Sequence, residues 1–189
     1  MRRLFYAITL LVIMLPCIAS AQDNVTLGKP WETFRGLPFG ASESYVKELF
    51  PHIYCRSVKA SVFNADKFCE DRNFRIGEVQ VENIFEFLND KLVKVRLSFR
   101  SEVYGYIKEV FIIKYGNPHH VRTEVIENKA RIQYDNEILT WKGNDVYLML
   151  NRYQPGNIDY SIATFLPASY AEKIIEDSEA KKKQAISGF

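Results

Sequence analysis

The chain is predicted to be an α+β protein, an antiparallel sheet with helices packed on one face. Three observations carry that prediction. Residues 79–99 hold two runs of period-two alternation around the polar Asn89-Asp90-Lys91, which reads as a hairpin with one buried face. Residues 101–115 place Val103, Ile107, Val110, Phe111 and Tyr115 at helical spacing ahead of Gly116 and Pro118, the pattern of an amphipathic helix with a left-handed cap and a stop. Four more strand-like runs follow at about 121–127, 131–142, 145–153 and 158–165, separated by Gly143-Asn144-Asp145 and Pro155-Gly156-Asn157, which supply turns.

The elements in order begin with an address. Arg2 and Arg3 precede an apolar run from Leu4 to Ile18, and Ala19-Ser20-Ala21 offers a small-x-small cleavage site, the three-part order of a secretory signal peptide. The run is shorter than the roughly 20 residues that cross a bilayer, and Pro16 interrupts it. Residues 1–21 are therefore expected to be removed, leaving no stable membrane insertion. Cys17 follows Leu15 and Pro16 rather than small residues, a poor fit to lipid attachment. The expected location is the bacterial periplasm, or the medium after secretion.

Export also settles the cysteine count. Once Cys17 leaves with the signal, Cys55 and Cys69 remain. An even pair in an oxidising compartment reads as one disulfide, and closing so short a loop contributes about 3 kcal/mol in the chain-entropy account. The competing readings are two separate buried thiols, or a redox pair whose spacing is far from Cys-x-x-Cys. Loss of Arg2 and Arg3 from 25 bases leaves 23 against 23 acids, and the bases are scattered, so no electrostatic footprint for nucleic acid remains.

Residues 22–30 read as a flexible lead-in, with Asn24-Val25-Thr26 a glycosylation triplet only in a host that uses that rule. The ordered domain is expected over 31–166, opening with Trp31 to Gly40, where Gly and Pro punctuate a short strand and turn. Ser42 caps a helix whose apolar face is Tyr45, Val46, Leu49 and Phe50, stopped by Pro51. Ile53 to Val58 reads as a strand carrying Cys55, and 59–77 as a long loop pinned by the disulfide. Residues 167–189 read as a C-terminal helix and polar tail, with Glu172, Glu176 and Asp177 ahead of Lys181 to Lys183, the order that suits the helix dipole.

One internal match stands out. Tyr45-Val46-Lys47-Glu48-Leu49-Phe50 parallels Tyr106-Ile107-Lys108-Glu109-Val110-Phe111, and each copy follows a Phe-Arg pair, Phe34-Arg35 or Phe99-Arg100. Two related helix-plus-sheet subdomains, 33–99 and 98–165, are one reading. Chance similarity between short amphipathic helices is the other.

The run Phe34 to Gly40, the Phe87-Leu88-Asn89-Asp90-Lys91-Leu92 hairpin, Lys114-Tyr115-Gly116-Asn117-Pro118 and Trp141-Lys142-Gly143 together resemble uncharacterised bacterial exported proteins. In fold the chain is also similar to small envelope domains of the SmpA/OmlA outer-membrane assembly lipoprotein and β-lactamase-inhibitor-protein type. That resemblance implies helices on one face of an antiparallel sheet and a role in binding other proteins. It spans most of 31–165, rests on turns and core positions, and carries over no functional residue.

Candidate chemistry is sparse. His119 and His120 are adjacent, so on a strand they point to opposite faces, and with His52 alone elsewhere no metal-ligand spacing is formed. Gly40-Ala41-Ser42-Glu43-Ser44 lacks the closing glycine of a nucleophile elbow. Glu70-Asp71, and Glu82 with Glu86, are not placed opposite one another as glycoside hydrolysis requires. No catalytic residue, cofactor or metal is therefore expected. Trp31, Trp141, Tyr147, Tyr153 and Tyr160 are candidates for an aromatic binding surface, against the alternative that packing explains them. An exposed sheet edge in the second half is the other candidate, since it can recruit an extended peptide; the sequence does not say which strand lies there.

The expectation is an exported, non-catalytic protein that binds another envelope protein, as an assembly factor or inhibitor. The alternatives are a small-ligand or glycan binder with an aromatic-lined groove, and, third, a hydrolase. Oligomeric state is left open.

Overall fold

The computed structural model describes residues 34–58, 65–128 and 130–172. The signal segment, the 22–30 lead-in, Trp31 and the C-terminal stretch beyond 172 lie outside the described residues.

Within them the chain is mostly antiparallel sheet with a few short helices. Helix α1 spans Glu43–Leu49, β1 Tyr54–Ser57, β2 Lys67–Asp71, β3 Arg75–Ile76, β4 Val79–Gln80, β5 Glu82–Leu88 and β6 Lys91–Arg100. A 3₁₀ turn over Ser101–Val103 leads into α2, Tyr104–Tyr115, followed by β7 His120–Glu127, β8 Gln133–Lys142, β9 Val146–Asn151 and β10 Tyr160–Pro167. Eight strands make one sheet in the order β1-β2-β5-β6-β10-β9-β8-β7, and β3 with β4 forms a separate hairpin.

That order has a simple logic. After α1 the chain lays down β1, β2, β5 and β6 from one rim to the centre. After α2 it lays down β7, β8, β9 and β10 from the other rim to the centre, where β6 and β10 pair antiparallel from Tyr160↔Arg100 to Phe165↔Val95. Each half runs from a helix through four strands of the main sheet, the first half with the β3–β4 hairpin inserted between β2 and β5, and each edge strand is the first strand of its half.

Local chemistry accounts for the elements. Ser42 caps α1 by accepting the Tyr45 N–H, satisfying a donor that the first helical turn leaves free. Only Val46 of α1 is buried; the expected apolar face is narrower than read, because Tyr45 and Leu49 are 42% and 47% exposed. The hairpin β5–β6 forms where period-two alternation places it, and Asn89 and Asp90 both take positive φ, 52° and 58°, as a two-residue hairpin turn of the right twist requires. Gly116, at φ 79°, ends α2 and donates its N–H to the Ile112 carbonyl at 2.9 Å.

The stretch 59–77 is a correction to the sequence reading. It is not one loop: Lys67–Asp71 forms β2, paired with β1 on one side and β5 on the other, and Arg75–Ile76 forms β3. Cys69 explains the strand. It lies directly opposite Cys55 and Phe85, is fully buried, and is joined to Cys55 by a disulfide.

Along the strands one side-chain series is inward. Phe85, Val95, Leu97, Phe99, Ala163, Phe165, Leu148, Leu150, Leu139 and Trp141 belong to one buried cluster. Phe111 of α2 lies edge-on to both Trp141 and Phe165, ring centres 6.2 Å apart in each case. Phe50, just after α1, sits 4.8 Å from Phe85. Phe34 joins the halves by contacting Phe85 and Phe165. Each fully buried large ring contributes about 1.5–3 kcal/mol, so this shared cluster holds both halves in one core.

Candidate functional site

The second-half edge is the most exposed regular element. Pro118 prevents α2 from continuing, and His119 donates its N–H to the Thr140 carbonyl at 2.8 Å. From there β7 pairs with β8 at eight consecutive positions, His120↔Thr140 to Glu127↔Gln133, with no register break. At the far end Asn128 Oδ1 accepts the N–H groups of Ala130 and Ile132, both at 2.9 Å, pinning the connection into β8. The strand is thus held straight on its inner side and at both ends.

Its outer side has no partner strand among the described residues. Seven of its eight residues are exposed, Ile126 being the exception. Val121 and Val125 are 60% and 63% exposed, a large apolar exposure for β-branched residues that strands otherwise pack. Arg122 and Glu124 share the other face, 3.8 Å apart, and Asn136 Nδ2 donates to Glu124 at 3.2 Å. A strand edge of this length, without proline or bulge, presents a row of unpaired backbone donors and acceptors, the template for strand addition.

The hairpin is braced from behind. β8 pairs with β9 only from Ile138 to Lys142, so residues 133–137 project beyond β9. Arg152 N–H donates to the Glu137 carbonyl, and Tyr153 N–H to Asn136 Oδ1, each at 2.9 Å. Glu137 also accepts the Tyr104 hydroxyl at 2.7 Å and the Lys108 ammonium at 2.8 Å, tying α2 to β8. Partial burial raises the Glu137 pKa, but the Lys108 and Tyr104 hydrogen bonds outweigh it and hold the carboxyl below its ordinary value. Burial and the Glu137 carboxylate push the Tyr104 phenol well up. This group was not singled out from sequence; its signal is a carboxylate interrupting the inward series Glu137, Leu139, Trp141.

A second feature lies in the first half. Arg35 and Gly36 take φ 52° and 79° in a minimal hairpin closed by Phe34 and Leu37, and Arg35 projects 4.9 Å over the Phe74 ring. A non-glycine residue in the left-handed region is strained. Beneath it is a cavity of about 180 Å³ lined by Phe34, Phe74, Ile76, Val110, Phe111 and Tyr115 among others, with Arg35, Arg75 and Lys114 around it. Gly77, at φ 58°, lies against the Tyr106 hydroxyl, so a Cβ there would displace the end of that side chain. Partial burial and the nearby Arg35 guanidinium lower the Lys114 pKa. Among the described residues neither Arg35 nor Lys114 has an acidic partner.

The sequence-predicted aromatics are not gathered into one surface. Trp141 is buried in the core, and its indole N–H donates to the Gly116 carbonyl at 2.7 Å; packing uses it, which corrects its place among the binding candidates. Tyr147 lies under the Lys142 ammonium at 5.5 Å. Tyr153 meets Tyr134 edge-on at 5.7 Å, and Tyr160 lies under Arg100 at 4.9 Å. Tyr147 stands near the opposite end of β9 from Tyr153.

Several of the candidate ligand and carboxylate side chains have structural partners. His119 Nδ1 accepts the Lys142 N–H at 3.1 Å. Among the described residues the group with three ligand-type side chains is Glu43, Cys55 and Cys69, and both sulfurs are spent in the disulfide. Glu86 is buried and paired with Lys94 at 2.8 Å and with Arg96, a charge-neutralised residue. Among the described residues no helix is long and apolar enough to cross a membrane. Compared with known proteins, the chain matches no family model, no curated protein and no solved structure.

Proposed function

We propose that this chain is an exported, non-catalytic binding protein of the bacterial envelope, and that it captures an extended segment of another envelope protein along β7, as an assembly factor or inhibitor does. The observation that carries the reading is the β7 edge, eight residues long, braced on one side and open on the other. The disulfide supports export, since such bonds persist in oxidising compartments. We propose as well that both helices lie on the sheet face carrying Phe85, Phe165 and Trp141, supported by the Phe50–Phe85 and Phe111–Trp141 contacts, and that the two halves are related. The matched helix sequences and the shared order of a helix followed by four strands of the main sheet support that relation.

The test is site-specific photo-crosslinking in the intact envelope. A benzophenone side chain replacing Val121 on β7 is compared with one replacing Tyr54 on β1, also exposed. Discrete crosslinks from position 121 to a different envelope protein, and none from 54, are expected. Absence of any crosslink from 121 to a different protein overturns the reading.

A specific observation favours a second reading, a small-ligand site. The cavity under Arg35 combines apolar walls with Arg35 and Lys114, cations without acidic partners among the described residues. An amphiphile with one carboxylate or phosphate head suits that lining. Binding of a fatty acid to the purified chain, lost in Lys114→Glu and Arg35→Glu, supports it; no binding by the unaltered chain excludes it.

A further inference from the structure

We infer that β7 pairs with β7 of a second copy of this chain, about a two-fold axis through Thr123, joining two sheets edge to edge. The inference rests on the reading of β7 as a binding edge and names a second occupant for it, one that competes there with a segment of another envelope protein. It begins with five residues, Val121-Arg122-Thr123-Glu124-Val125. Read antiparallel against itself with Thr123 at the centre, this segment is self-complementary. Val121 stands opposite Val125 of the second copy, Arg122 opposite its Glu124, and Thr123 opposite its Thr123.

Symmetry restricts the register. A two-fold axis perpendicular to a sheet keeps each side chain on its own face, so the axis must pass through a residue pair. Moving the centre one residue back sets Arg122 against Arg122, and one residue forward sets Glu124 against Glu124. Like charges directly opposite are destabilising, whereas opposite charges, Thr–Thr and β-branched pairs are favourable. Thr123 is the centre that satisfies all of them.

The surroundings agree with this occupant. Arg122 and Glu124 already lie 3.8 Å apart on one face with side-chain exposures of 63% and 43%. Self-pairing converts that exposed pair into four alternating charges across the axis. On the opposite face the exposed Val121 and Val125 of both copies meet in two apolar pairs flanking Thr123. No described strand lies outside β7 to block the approach. The backbone groups unpaired in one copy are matched by those of the next, and the vulnerable edge is covered.

The experiment is sedimentation velocity on the exported chain purified from the envelope, from micromolar to about 0.5 mM, where even weak association is visible. The unaltered chain is expected to show a concentration-dependent dimer. Arg122→Glu and Glu124→Arg each turn two attractive pairs repulsive and should weaken the dimer at least about tenfold. The double variant Arg122→Glu/Glu124→Arg restores complementarity and should recover it. A monomer at all concentrations overturns the inference, as does a dimer indifferent to the single reversals or not recovered in the double.

Cysteine cross-linking provides an independent readout that does not rely on charge reversal. Under mild oxidation Thr123→Cys, on the axis, should give a disulfide-linked dimer, and Val121→Cys should not; the reverse result overturns the register. If the chain is monomeric while position 121 crosslinks a different envelope protein, self-pairing falls and the partner reading stands. If neither occurs, both fall.

Discussion

The two rims of the sheet hold equivalent places, each being the first strand after the helix of its half, yet they are built in opposite ways. β1 has four residues, and Cys55 in its middle is bonded to Cys69 on β2. Beside it Glu43 of α1 is paired with Lys47 at 2.6 Å and with Lys67 of β2. β7 is twice as long, carries no covalent tie, and has hydrogen-bonded braces only on its inner side and at its ends. Short edges, charges and covalent ties are devices that keep a sheet from recruiting strangers. Both rims carry charges, but only β1 is short and covalently tied, and the proposed binding at β7 rests on that contrast.

The largest effects should show that the rims differ while the core is shared. Phe85→Ala in the first half and Trp141→Ala in the second should each cost about 3–5 kcal/mol. Each should shift one cooperative urea transition, because Phe34 and Phe165 link the two sides. Two separate transitions would break the account of a common core. Next in size, replacing both Cys55 and Cys69 by serine removes a loop constraint worth about 3 kcal/mol. The loss should appear in urea unfolding and as faster amide exchange in β1, with β7 unchanged.

Acid should weaken both sides through different carboxylates. Glu43 is lowered by its hydrogen bonds to Lys47 and Lys67, which outweigh burial. Glu137 is raised by burial but lowered further by Lys108 and Tyr104. Both folded values lie below the ordinary 4.5, so the stability they contribute is present above about pH 4.5 and lost as pH falls through the folded values. Urea midpoints should be flat from pH 7 to 5 and decline below that, with the decline shallower in Glu137→Gln. The smallest effect on stability is expected at the open rim. Val121→Lys/Val125→Lys changes two exposed side chains and should alter stability by no more than about 0.5 kcal/mol per site, while abolishing association through β7. A large loss of stability there would mean that the valines serve the fold and not a partner.

Much of the framework was legible because it is periodic. The alternation of Val93, Val95, Leu97 and Phe99 identified β6, and Ile107 and Phe111 ahead of Gly116 identified α2. β2 was not legible, because Lys67-Phe68-Cys69-Glu70-Asp71 is short and polar at both ends; its strand character comes from Cys55 and Phe85 on its two sides, contacts distant in sequence. Tyr45 and Leu49 followed helical spacing but remain exposed, since α1 rests on the core through Val46 and the following Phe50. Trp141 and the tyrosines were read as a surface by residue type, and type does not distinguish a buried ring from a presented one. A second-half edge was anticipated; the missing knowledge was strand order, which depends on which strands pair. In retrospect β7 carries a signal, since neither face of Val121-Arg122-Thr123-Glu124-Val125 has a large apolar residue to bury.

Amide hydrogen exchange, followed strand by strand in dilute and in concentrated chain, tests the contrast between the rims most directly. The expected result is protection at residues 120–127 that grows with concentration, while residues 54–57 are protected equally at both. Exchange in β7 that ignores concentration, or protection gained instead at β1, would contradict the assignment of β7 as the self-pairing edge.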